Sequence, residues 1–544
     1  MARGHPLTRR RFLATCAALA AAAAAPAAPG GVPPGRLGGT DLALGHRLRQ
    51  RDFPAPGETR RIPVLVVGAG IGGLSAGWRL QRAGFADFEI LELEGQPGGN
   101  SRYEENPVSV HPVGAHYLPL PPREARAVRL LLADLGAIEG DPLAGGPRYE
   151  DALLCHAPQE RLYRNGFWQE GLIPRLGLAA AERDQTRRFL DRMADFRRAR
   201  DGQDRRAFAL PIAFASPDRR WRDLDRITMR DWLLREGFDA TPLHWYVDYA
   251  CRDDFGTGYG EASAWAGIHY FACRDGEAAN AASDVVLTAP EGNGWIVRRL
   301  ARRLGDRIRT GAVVFALRQD RGRVEADVWL AAENRSLRLR SERLVWAAPL
   351  FLLPRLAEGL SAAPAAAIAG LSHAPWLVAN LTLREPPAPG AGAGLAWDIV
   401  LYGSPGLGYV VATHQRLGLD VGPTVLTYYR ALADSDPRRA RERLLATGRE
   451  SWGREILGDL ARAHRDLPAL TASLDVFRHG HAMARPLPGF LARRPPLEAG
   501  WGRVQFAHAD VSGLSIFEEA NHQGVRAAER TLASLGHRLA ERLA

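Results

Sequence analysis

The stretch that decides the fold is Ile62-Pro63-Val64-Leu65-Val66-Val67-Gly68-Ala69-Gly70-Ile71-Gly72-Gly73. Its apolar first half suits a buried parallel strand, and its second half has the G-x-G-x-x-G spacing. The next residues, 74–83, have the pattern of an amphipathic helix. A second strand at 88–91 ends at Glu92, which lies 24 residues after Gly68. This order of strand, glycine turn, helix, strand and acid predicts a dinucleotide-binding site.

Each part of this fingerprint has a physical role. Gly68 permits the tight turn, Gly70 lets the backbone approach a pyrophosphate, and Gly73 lets the helix pack close to the strand. The helix N-terminus presents unpaired N–H groups to the phosphates. Glu92 can accept hydrogen bonds from ribose hydroxyls. The predicted fold class is therefore α/β, with a Rossmann-like domain.

The segment after Glu92 bears on the identity of the dinucleotide. Gly98 and Gly99 lie six and seven residues beyond the acid. In this the chain resembles flavin-containing amine oxidases and the wider superfamily of FAD-dependent oxidoreductases. The resemblance implies FAD rather than NAD. Relatives usually have arginine next, whereas this chain has Asn100 there and Arg102 two positions on, so we assign Arg102 to the cofactor.

Three further segments resemble the same family. Gly114 and Ala115 match a segment that passes beside the flavin ring, and Val314 lies on a strand that in relatives contacts the adenine side. Near the C-terminus, a strand is followed by Asp510 and, fourteen residues later, by Gly524. The resemblance implies that Asp510 binds the ribityl or pyrophosphate portion of FAD. It also implies that a helix led by Gly524 points its N–H groups at the flavin.

The resemblance makes the FAD domain discontinuous, with an inserted mixed α+β substrate domain. We expect FAD-binding parts at 61–120, 285–350 and 500–544, a helical substrate part at 121–284 and a sheet part at 351–499, with strands near 377–383, 407–412 and 424–429. Residues 29–60 are rich in proline and glycine and are expected to be a linker.

The sequence offers fewer candidates for substrate contact than for cofactor contact. His116 is the first choice because its segment is expected near the flavin, and a structural histidine is the alternative. His481 is the second, because it lies just before the closing flavin motif. The aromatic group of Trp265, His269, Tyr270 and Phe271 is expected to be core, and Trp397, Asp398 and His414 have only composition in their favour. His508 is a candidate neighbour of the cofactor, and a strand-end histidine without that role is the equal alternative.

The N-terminus predicts export. Thr8-Arg9-Arg10-Arg11-Phe12-Leu13 matches the twin-arginine pattern, and an alanine-rich run follows. That run is too short and too weakly hydrophobic for a membrane span. We expect a signal peptide over 1–28, export by the twin-arginine machinery, a periplasmic or secreted location and no transmembrane span.

Composition narrows the chemistry. All 71 basic residues are arginine, but they alternate with acids, so no nucleic-acid partner is expected. Three cysteines follow the signal (Cys155, Cys251, Cys273) without a zinc spacing, and no metal is expected. The family that this chain resembles has a cysteine near the C-terminus that binds FAD covalently, and here no cysteine follows Cys273. The resemblance therefore implies noncovalent FAD, or attachment through histidine if it is covalent.

The sequence thus predicts an exported FAD-dependent oxidoreductase that oxidises a C–N bond of an amine or amino-acid-like small molecule. Many relatives use a lysine that assists the reaction with oxygen. This chain has no lysine, which favours a dehydrogenase with an unknown electron acceptor over an oxidase. A desaturase or isomerase acting on an apolar substrate and a non-catalytic flavin-binding protein are the alternatives.

Overall fold

A computed structural model describes residues 31–416 and 422–544. The signal peptide predicted over 1–28 lies outside the described residues. The described chain is built on two large sheets with helices packed on both. The seven-stranded sheet that contains the glycine-turn strand is called the cofactor sheet and the eight-stranded one the substrate sheet, after the roles expected from the sequence. The mixed α/β architecture predicted from the sequence is confirmed.

The cofactor sheet has seven strands taken from three separate parts of the chain. Val345 lies opposite Val66, so the strand Arg335–Trp346 runs parallel to the glycine-turn strand. Trp346 lies opposite Phe506, so a strand from near the C-terminus runs parallel to Arg335–Trp346 in turn. In spatial order the strands are Ile308–Arg309, Phe88–Leu91, Glu58–Val67, Arg335–Trp346, Val324–Leu330 and Ala312–Gln319, with Val504–Phe506 also paired to Arg335–Trp346.

Two helices pack together against this sheet, Ile71–Arg82 and Phe517–Ser534. A Cβ at Gly524 would lie 2.1 Å from the carbonyl oxygen of Gly72, so glycine is needed for the close approach of the helices. The expectation that Gly524 leads its helix is therefore wrong. The helix begins at Phe517, and Gly524 lies within it as a packing residue.

The substrate sheet has eight strands. The three strands expected in the second insertion are confirmed as parts of it. The first insertion was expected to be helical, but it also supplies the last two strands at one end of this sheet. In spatial order the strands are Leu37–Gly39, Thr471–Ala484, His373–Leu383, Thr424–Ala431, Gly408–Val411, Asp398–Leu401, Glu160–Arg164 and Phe167–Glu170.

The remaining helices surround the two sheets. Those of the first insertion share a core of aromatic and aliphatic side chains that includes Trp265, as expected for that residue, and His269 Nε2 donates to the Ala209 carbonyl at 3.0 Å. The helices are Leu42–Gln50, Arg126–Asp134, Ala180–Arg198, Arg219–Arg222, Met229–Arg235, Thr241–Phe255, Ala264–Ala272, Gly294–Leu304, Leu353–Leu356, Ala362–Ala369, Pro437–Ala446, Arg449–Leu460, Leu467–Leu470 and Arg494–Ala499.

The segment expected to be a linker is part of the fold. Its strand Leu37–Gly39 pairs in parallel with Thr471–Ala484 at the edge of the substrate sheet. The helix Leu42–Gln50 follows, capped by the Asp41 side chain, which accepts from the Leu44 amide. Such short elements depend on the neighbours they pair with, so their own composition does not reveal them.

Within the described ranges, no helix is both long and apolar enough to cross a membrane. The same residues contain no group of three or more His, Cys, Asp or Glu side chains arranged to hold a metal ion. The three described cysteines, Cys155, Cys251 and Cys273, are free and buried.

Candidate functional site

The glycine turn opens onto a cavity of about 1130 Å³ that runs between the two sheets. All but three of the residues assigned to the cofactor from sequence line it, although they come from distant parts of the chain. The lining set is Gly68, Gly70, Glu92, Gly98, Gly99, Arg102, Gly114, Ala115 and Val314.

The turn itself has the geometry that the fingerprint requires. Gly68 has φ +99°, a conformation that side chains rarely adopt, and its amide donates to the Leu91 carbonyl at 2.7 Å. A Cβ at Gly73 would lie 1.8 Å from the Gly68 carbonyl oxygen. Gly73 therefore acts through packing, as its place in the motif implies, and it does not line the cavity. Gly70 caps the helix without a side chain and leaves the helix N-terminus open to the cavity.

Glu92 stands at the end of the second strand with both carboxylate oxygens held. They accept from the backbone amides of Ala69 at 2.7 Å and Glu94 at 2.9 Å. Burial raises the pKa of Glu92 despite these bonds. The acid is thus fixed beside the glycine turn, where a ribose can reach its remaining lone pairs.

Gly98 and Gly99 form the adjoining wall, with φ values of +125° and +56°. The Gly98 amide donates to the Ala69 carbonyl at 2.8 Å, which joins this segment to the glycine turn. Arg102 lies on the same wall, forms an ion pair with Glu94 at 3.2 Å and donates to the Gly99 carbonyl at 3.2 Å. A Cβ on either glycine would narrow the groove between Arg102 and the turn.

Asp510 behaves differently from the expectation of direct cofactor contact. It does not line the cavity. Its carboxylate accepts from the Leu350 amide and binds His373 Nε2, both at 2.9 Å. Burial alone would raise its pKa, but the neighbouring His508 and His373 hold the pKa of Asp510 well below its usual value. Asp510 therefore fixes His373 and His508, which do line the cavity.

The C-terminal helix also faces the cavity, but through its first turn. Ser515, Ile516, Phe517 and Glu518 line the wall there, and the helix begins at Phe517. A second helix N-terminus, with its unpaired N–H groups, is thus directed into the same cavity as the first. The two open N-termini, the glycine walls and Glu92 together fit a dinucleotide such as FAD, and Val314 lies on the strand expected at its adenine end.

A second chamber of about 460 Å³ adjoins the first, on the side of the substrate sheet. The junction is aromatic. The His116 ring stacks on Tyr429 with centroids 4.4 Å apart and lies 5.7 Å from Trp397. Burial lowers the pKa of His116 to about 3, so its ring is neutral at neutral pH. Residues lining both spaces are His116, Tyr117, Pro119, Asp253, Arg274 and Tyr429.

The chamber is rich in carboxylates. Burial, with the neighbouring Asp254, raises the pKa of Asp253 to about 7, and the Tyr117 hydroxyl donates to it at 3.4 Å. Burial also raises the pKa of Asp398 well above its usual value and raises that of Glu160. Arg274 is already paired, with Asp254 at 2.5 Å.

His481, the second candidate from sequence, lines the first cavity, away from this chamber. Its ring packs against Phe351 with centroids 4.5 Å apart. Desolvation in the cavity, together with Arg441, lowers the pKa of His481 to about 3. The structure therefore brings His116, but not His481, together with the acidic chamber.

Sequence reasoning missed most of the chamber. Asp253 and Arg274 lie on or after helices of the first insertion, and Glu160 and Asp398 lie on strands from different insertions. The sequence singled out His116, Trp397 and Asp398. It assigned Tyr270 and Phe271, in the aromatic group around Trp265, to the core, whereas both line the chamber. An acid on an otherwise apolar strand, such as Asp398 on Asp398–Leu401, is the one local signal that could have found part of the chamber.

The fold and cavity define a class: a Rossmann-like dinucleotide domain joined to a second, mixed sheet domain. Residues 66–135 match the family described as NAD(P)-binding Rossmann-like domain. A comparison with curated protein sequences found no match.

Among solved structures, the fold of this chain is similar to those of two amine oxidases. Putrescine oxidase, wild type bound to putrescine, aligns with a TM-score of 0.64 at 17% identity over 87% of this chain and 100% of that chain. A single-residue mutant of the same oxidase aligns with a TM-score of 0.65 at 16% identity over 88% and 100%. Cyclohexylamine oxidase from Brevibacterium oxydans IH-35A aligns with a TM-score of 0.62 at 17% identity over 87% and 99%. The fold expected from the resemblance to flavin amine oxidases is confirmed.

Proposed function

We propose that this protein is an FAD-dependent oxidoreductase that oxidises a C–N bond of an amine. The observation that carries the proposal is that the cofactor cavity and the second chamber are continuous. A cavity built from the dinucleotide fingerprint meets, at His116, a chamber lined by aromatic rings and carboxylates. Negative charge and aromatic faces both stabilise a cationic amine. The likeness to amine oxidase structures supports the same class.

The residues that would hold FAD are those of the glycine turn, Glu92, Arg102 and the first turn of the helix Phe517–Ser534. When bound, FAD supplies a two-electron acceptor for hydride from the carbon beside the nitrogen. The chain binds and orients the amine beside it, and the buried aromatic junction excludes water. The neutral ring of His116 adds no positive charge that would repel the substrate.

Asp253 is the group best suited to take the proton from the substrate ammonium. Its carboxylate faces both spaces, and its pKa of about 7 is that of an efficient base at neutral pH. Deprotonation leaves the nitrogen lone pair free to stabilise the positive charge that develops on carbon. His116 and Tyr117 position the amine rather than exchange its proton.

Anaerobic mixing with amines tests the activity. Purified holoenzyme should lose its visible flavin absorbance on mixing with 1-aminohexane or hexane-1,6-diamine, and regain it on reoxidation. Protein that contains FAD but is bleached only by dithionite, by no amine, amino acid or apolar alkene, would instead be a flavin-binding protein without turnover.

We further propose that the physiological electron acceptor is not dioxygen, because the chain has no lysine to assist the oxygen reaction. An arginine could hold a water but would not readily act as a base. Amine-dependent reduction of dichlorophenolindophenol should exceed hydrogen peroxide formation in air by at least about tenfold. Peroxide formation at the same rate as dye reduction would identify an oxidase.

Export is also proposed, on the sequence of residues 1–28 alone. Replacing Arg9 and Arg10 together by lysine should retain the protein in the cytoplasm of a host with a functional twin-arginine pathway. The unchanged chain should reach the periplasm or medium with its FAD. Equal distribution of the two forms would remove the basis for this location.

A further inference from the structure

The diphosphate of FAD would bring two negative charges into the cofactor cavity, and charges removed from water need partners. Within the described chain, the glycine wall offers no unpaired cation for them. Arg102 pairs with Glu94 at 3.2 Å, and Asn100 is neutral, with its Nδ2 donating to the Ala482 carbonyl at 2.6 Å. The open N-terminus of the helix Ile71–Arg82 supplies only about half a positive charge. Further positive charge must come from another wall.

Ion pairs divide the arginines that line this cavity into two groups. In one group each guanidinium has a carboxylate at 3.2 Å or less: Arg102 with Glu94, Arg274 with Asp254 and Arg438 with Glu442. In the other group none has a carboxylate within ion-pair distance among residues 31–416 and 422–544: Arg49, Arg355 and Arg441. The arginines of this second group all lie outside the dinucleotide fingerprint.

Arg441 is the partly buried member of the unpaired group. It lies on the helix Pro437–Ala446, and its Nη1 donates to the His373 carbonyl at 3.0 Å. Desolvation lowers the pKa of Arg441, and Asp436 and Glu442, which act on it from beyond ion-pair distance, do not offset this effect. An anion that enters the cavity would stabilise a guanidinium held in this way.

A series of contacts connects Arg441 to the glycine turn. His373, whose carbonyl accepts from Arg441, binds Asp510 through Nε2 at 2.9 Å. The strand that precedes Asp510 ends against the glycine-turn helix, where a Cβ at Gly72 would lie 2.1 Å from the Ala507 carbonyl oxygen. The wall that holds Arg441 is therefore continuous with the first turn of that helix, where a diphosphate binds.

Arg49 lines the same cavity from the N-terminal segment. Its helix, Leu42–Gln50, shares a hydrophobic core with the glycine-turn strand Glu58–Val67. After desolvation, Arg441 and Arg49 are among the main causes that lower the pKa of His481, so the two guanidinium groups act on the same part of the cavity. An exposed arginine without a partner is ordinary on a protein surface, but this one lies beside a second unpaired arginine on the wall of the cofactor cavity.

We propose that Arg441 and Arg49 bind the diphosphate of FAD, so that the second insertion and the N-terminal segment supply the positive charge that the glycine wall lacks. Guanidinium groups form charge-assisted hydrogen bonds to phosphate oxygens, often two at a time. Arg355 is not among the main charges that act on His481 and is left out of the site. The inference rests on the proposed binding of FAD and assigns residues to one part of the cofactor.

Comparing FAD with riboflavin, which has the same ring and ribityl chain but no phosphate, isolates the diphosphate. Fluorescence titration of apoprotein prepared from the holoprotein gives a dissociation constant for each flavin. Arg441→Met should raise the dissociation constant for FAD at least about tenfold and leave that for riboflavin within about twofold. Arg49→Met should act in the same direction by several-fold. An equal loss for both flavins, or no loss for either, would overturn the assignment.

Two variants of the same helix control for charge and for folding. Arg441→Lys keeps the charge without the forked N–H groups and should recover part of the affinity for FAD. Arg439→Met removes the same charge from an exposed position outside the cavity and should leave both dissociation constants within about twofold. If Arg439→Met weakened FAD binding as much as Arg441→Met, the effect would be one of overall charge and the contact would be refuted.

Phosphorus-31 resonance of the holoproteins tests the contact directly, without turnover or reconstitution. The two diphosphate signals should shift in Arg441→Met relative to the unchanged chain, and they should not shift in Arg439→Met. Identical spectra for all three proteins would remove Arg441 from the site.

The outcomes distinguish this inference from the proposed activity. If Arg441→Met weakens the binding of FAD but not of riboflavin, and no amine bleaches the bound flavin, the proposed oxidation fails and the diphosphate site stands. If amines bleach the flavin and Arg441→Met binds FAD as the unchanged chain does, the oxidation stands and the site fails. A chain that binds no FAD at all would refute both.

Discussion

At the scale of single residues, the position of a buried acid relative to the cavity indicates its function. Glu92 and Asp510 are both acids at strand ends of the cofactor sheet, and sequence assigned both to the cofactor. The structure separates them by what they hold: Glu92 lines the cavity, whereas Asp510 binds His373 behind the cavity wall. The strand position of an acid was predictable. The direction of its side chain was not, since it depends on residues from another insertion.

Glu92 gives the first residue-scale prediction. Glu92→Ala removes the acceptor for the Ala69 and Glu94 amides as well as the ribose contact, and leaving buried donors unpaired costs about 1–3 kcal/mol each. The dissociation constant for FAD should rise at least about tenfold, measured by flavin fluorescence on titrating the apoprotein. Glu89→Gln, on the same strand but outside the cavity, should leave it within about twofold. Unchanged affinity in Glu92→Ala would remove Glu92 from the cofactor site.

Asp253 gives the second residue-scale prediction. Its pKa is raised to about 7, so the carboxylate is protonated below that pH and ionised above it. Only the ionised form can take a proton from a substrate ammonium, so the rate of flavin reduction at low amine concentration should fall as pH drops through about 7. Asp253→Asn should slow reduction strongly and abolish this inflection. An inflection near 7 that persists in Asp253→Asn would assign the titration to another group.

At the scale of elements, the strong local patterns were predictable. The helix Ile71–Arg82 and the strand Phe88–Leu91 follow directly from apolar periodicity and the glycine turn. The start of the C-terminal helix was misplaced because Gly524 was interpreted as a helix start. A glycine required for close helix packing has the same appearance in sequence as one required for a turn.

This correction predicts opposite effects for two helical glycines. Gly524→Ala puts a Cβ 2.1 Å from the Gly72 carbonyl oxygen, and such overpacking costs about 1–3 kcal/mol, so the thermal midpoint of unfolding should fall by several degrees. Gly458→Ala, in the helix Arg449–Leu460, meets nothing within 4 Å and should stabilise by about 0.5–1 kcal/mol. Calorimetry of both holoproteins gives the comparison. A stable Gly524→Ala protein would contradict the assigned packing role.

At the scale of the whole molecule, three segments that are distant in sequence line one cavity. That they come together could be predicted only from the family resemblance. The resemblance covers the cofactor sheet. It gave no means of pairing Asp398 with Glu160, because their register is set by strands from two separate insertions. The acidic chamber is therefore the part of the site that only the fold brings together.

The N-terminal segment, which was expected from the sequence to be a linker, is the other part of the site that only the structure reveals. Its position predicts how fast the whole protein releases FAD. Thr40, Asp41 and the helix Leu42–Gln50 line the cofactor cavity. The segment is tied to the cofactor wall, because the Asp41 amide donates to Glu94 at 2.8 Å and Arg102 donates to the Gly39 carbonyl at 3.4 Å. It therefore closes one side of the cavity, which should slow the release of FAD.

Loosening this segment should release cofactor without unfolding the sheets. Asp41→Ala removes the cap of the helix Leu42–Gln50, and loss of such a cap costs about 1 kcal/mol, so the dissociation rate of FAD should rise about fivefold. Thr228→Ala removes an equivalent cap, that of the helix Met229–Arg235, and should leave FAD release unchanged. Dilution of the holoprotein into an apoflavoprotein trap measures both rates. Equal release from Asp41→Ala and Thr228→Ala would mean that the segment lies over the cavity without retaining its ligand.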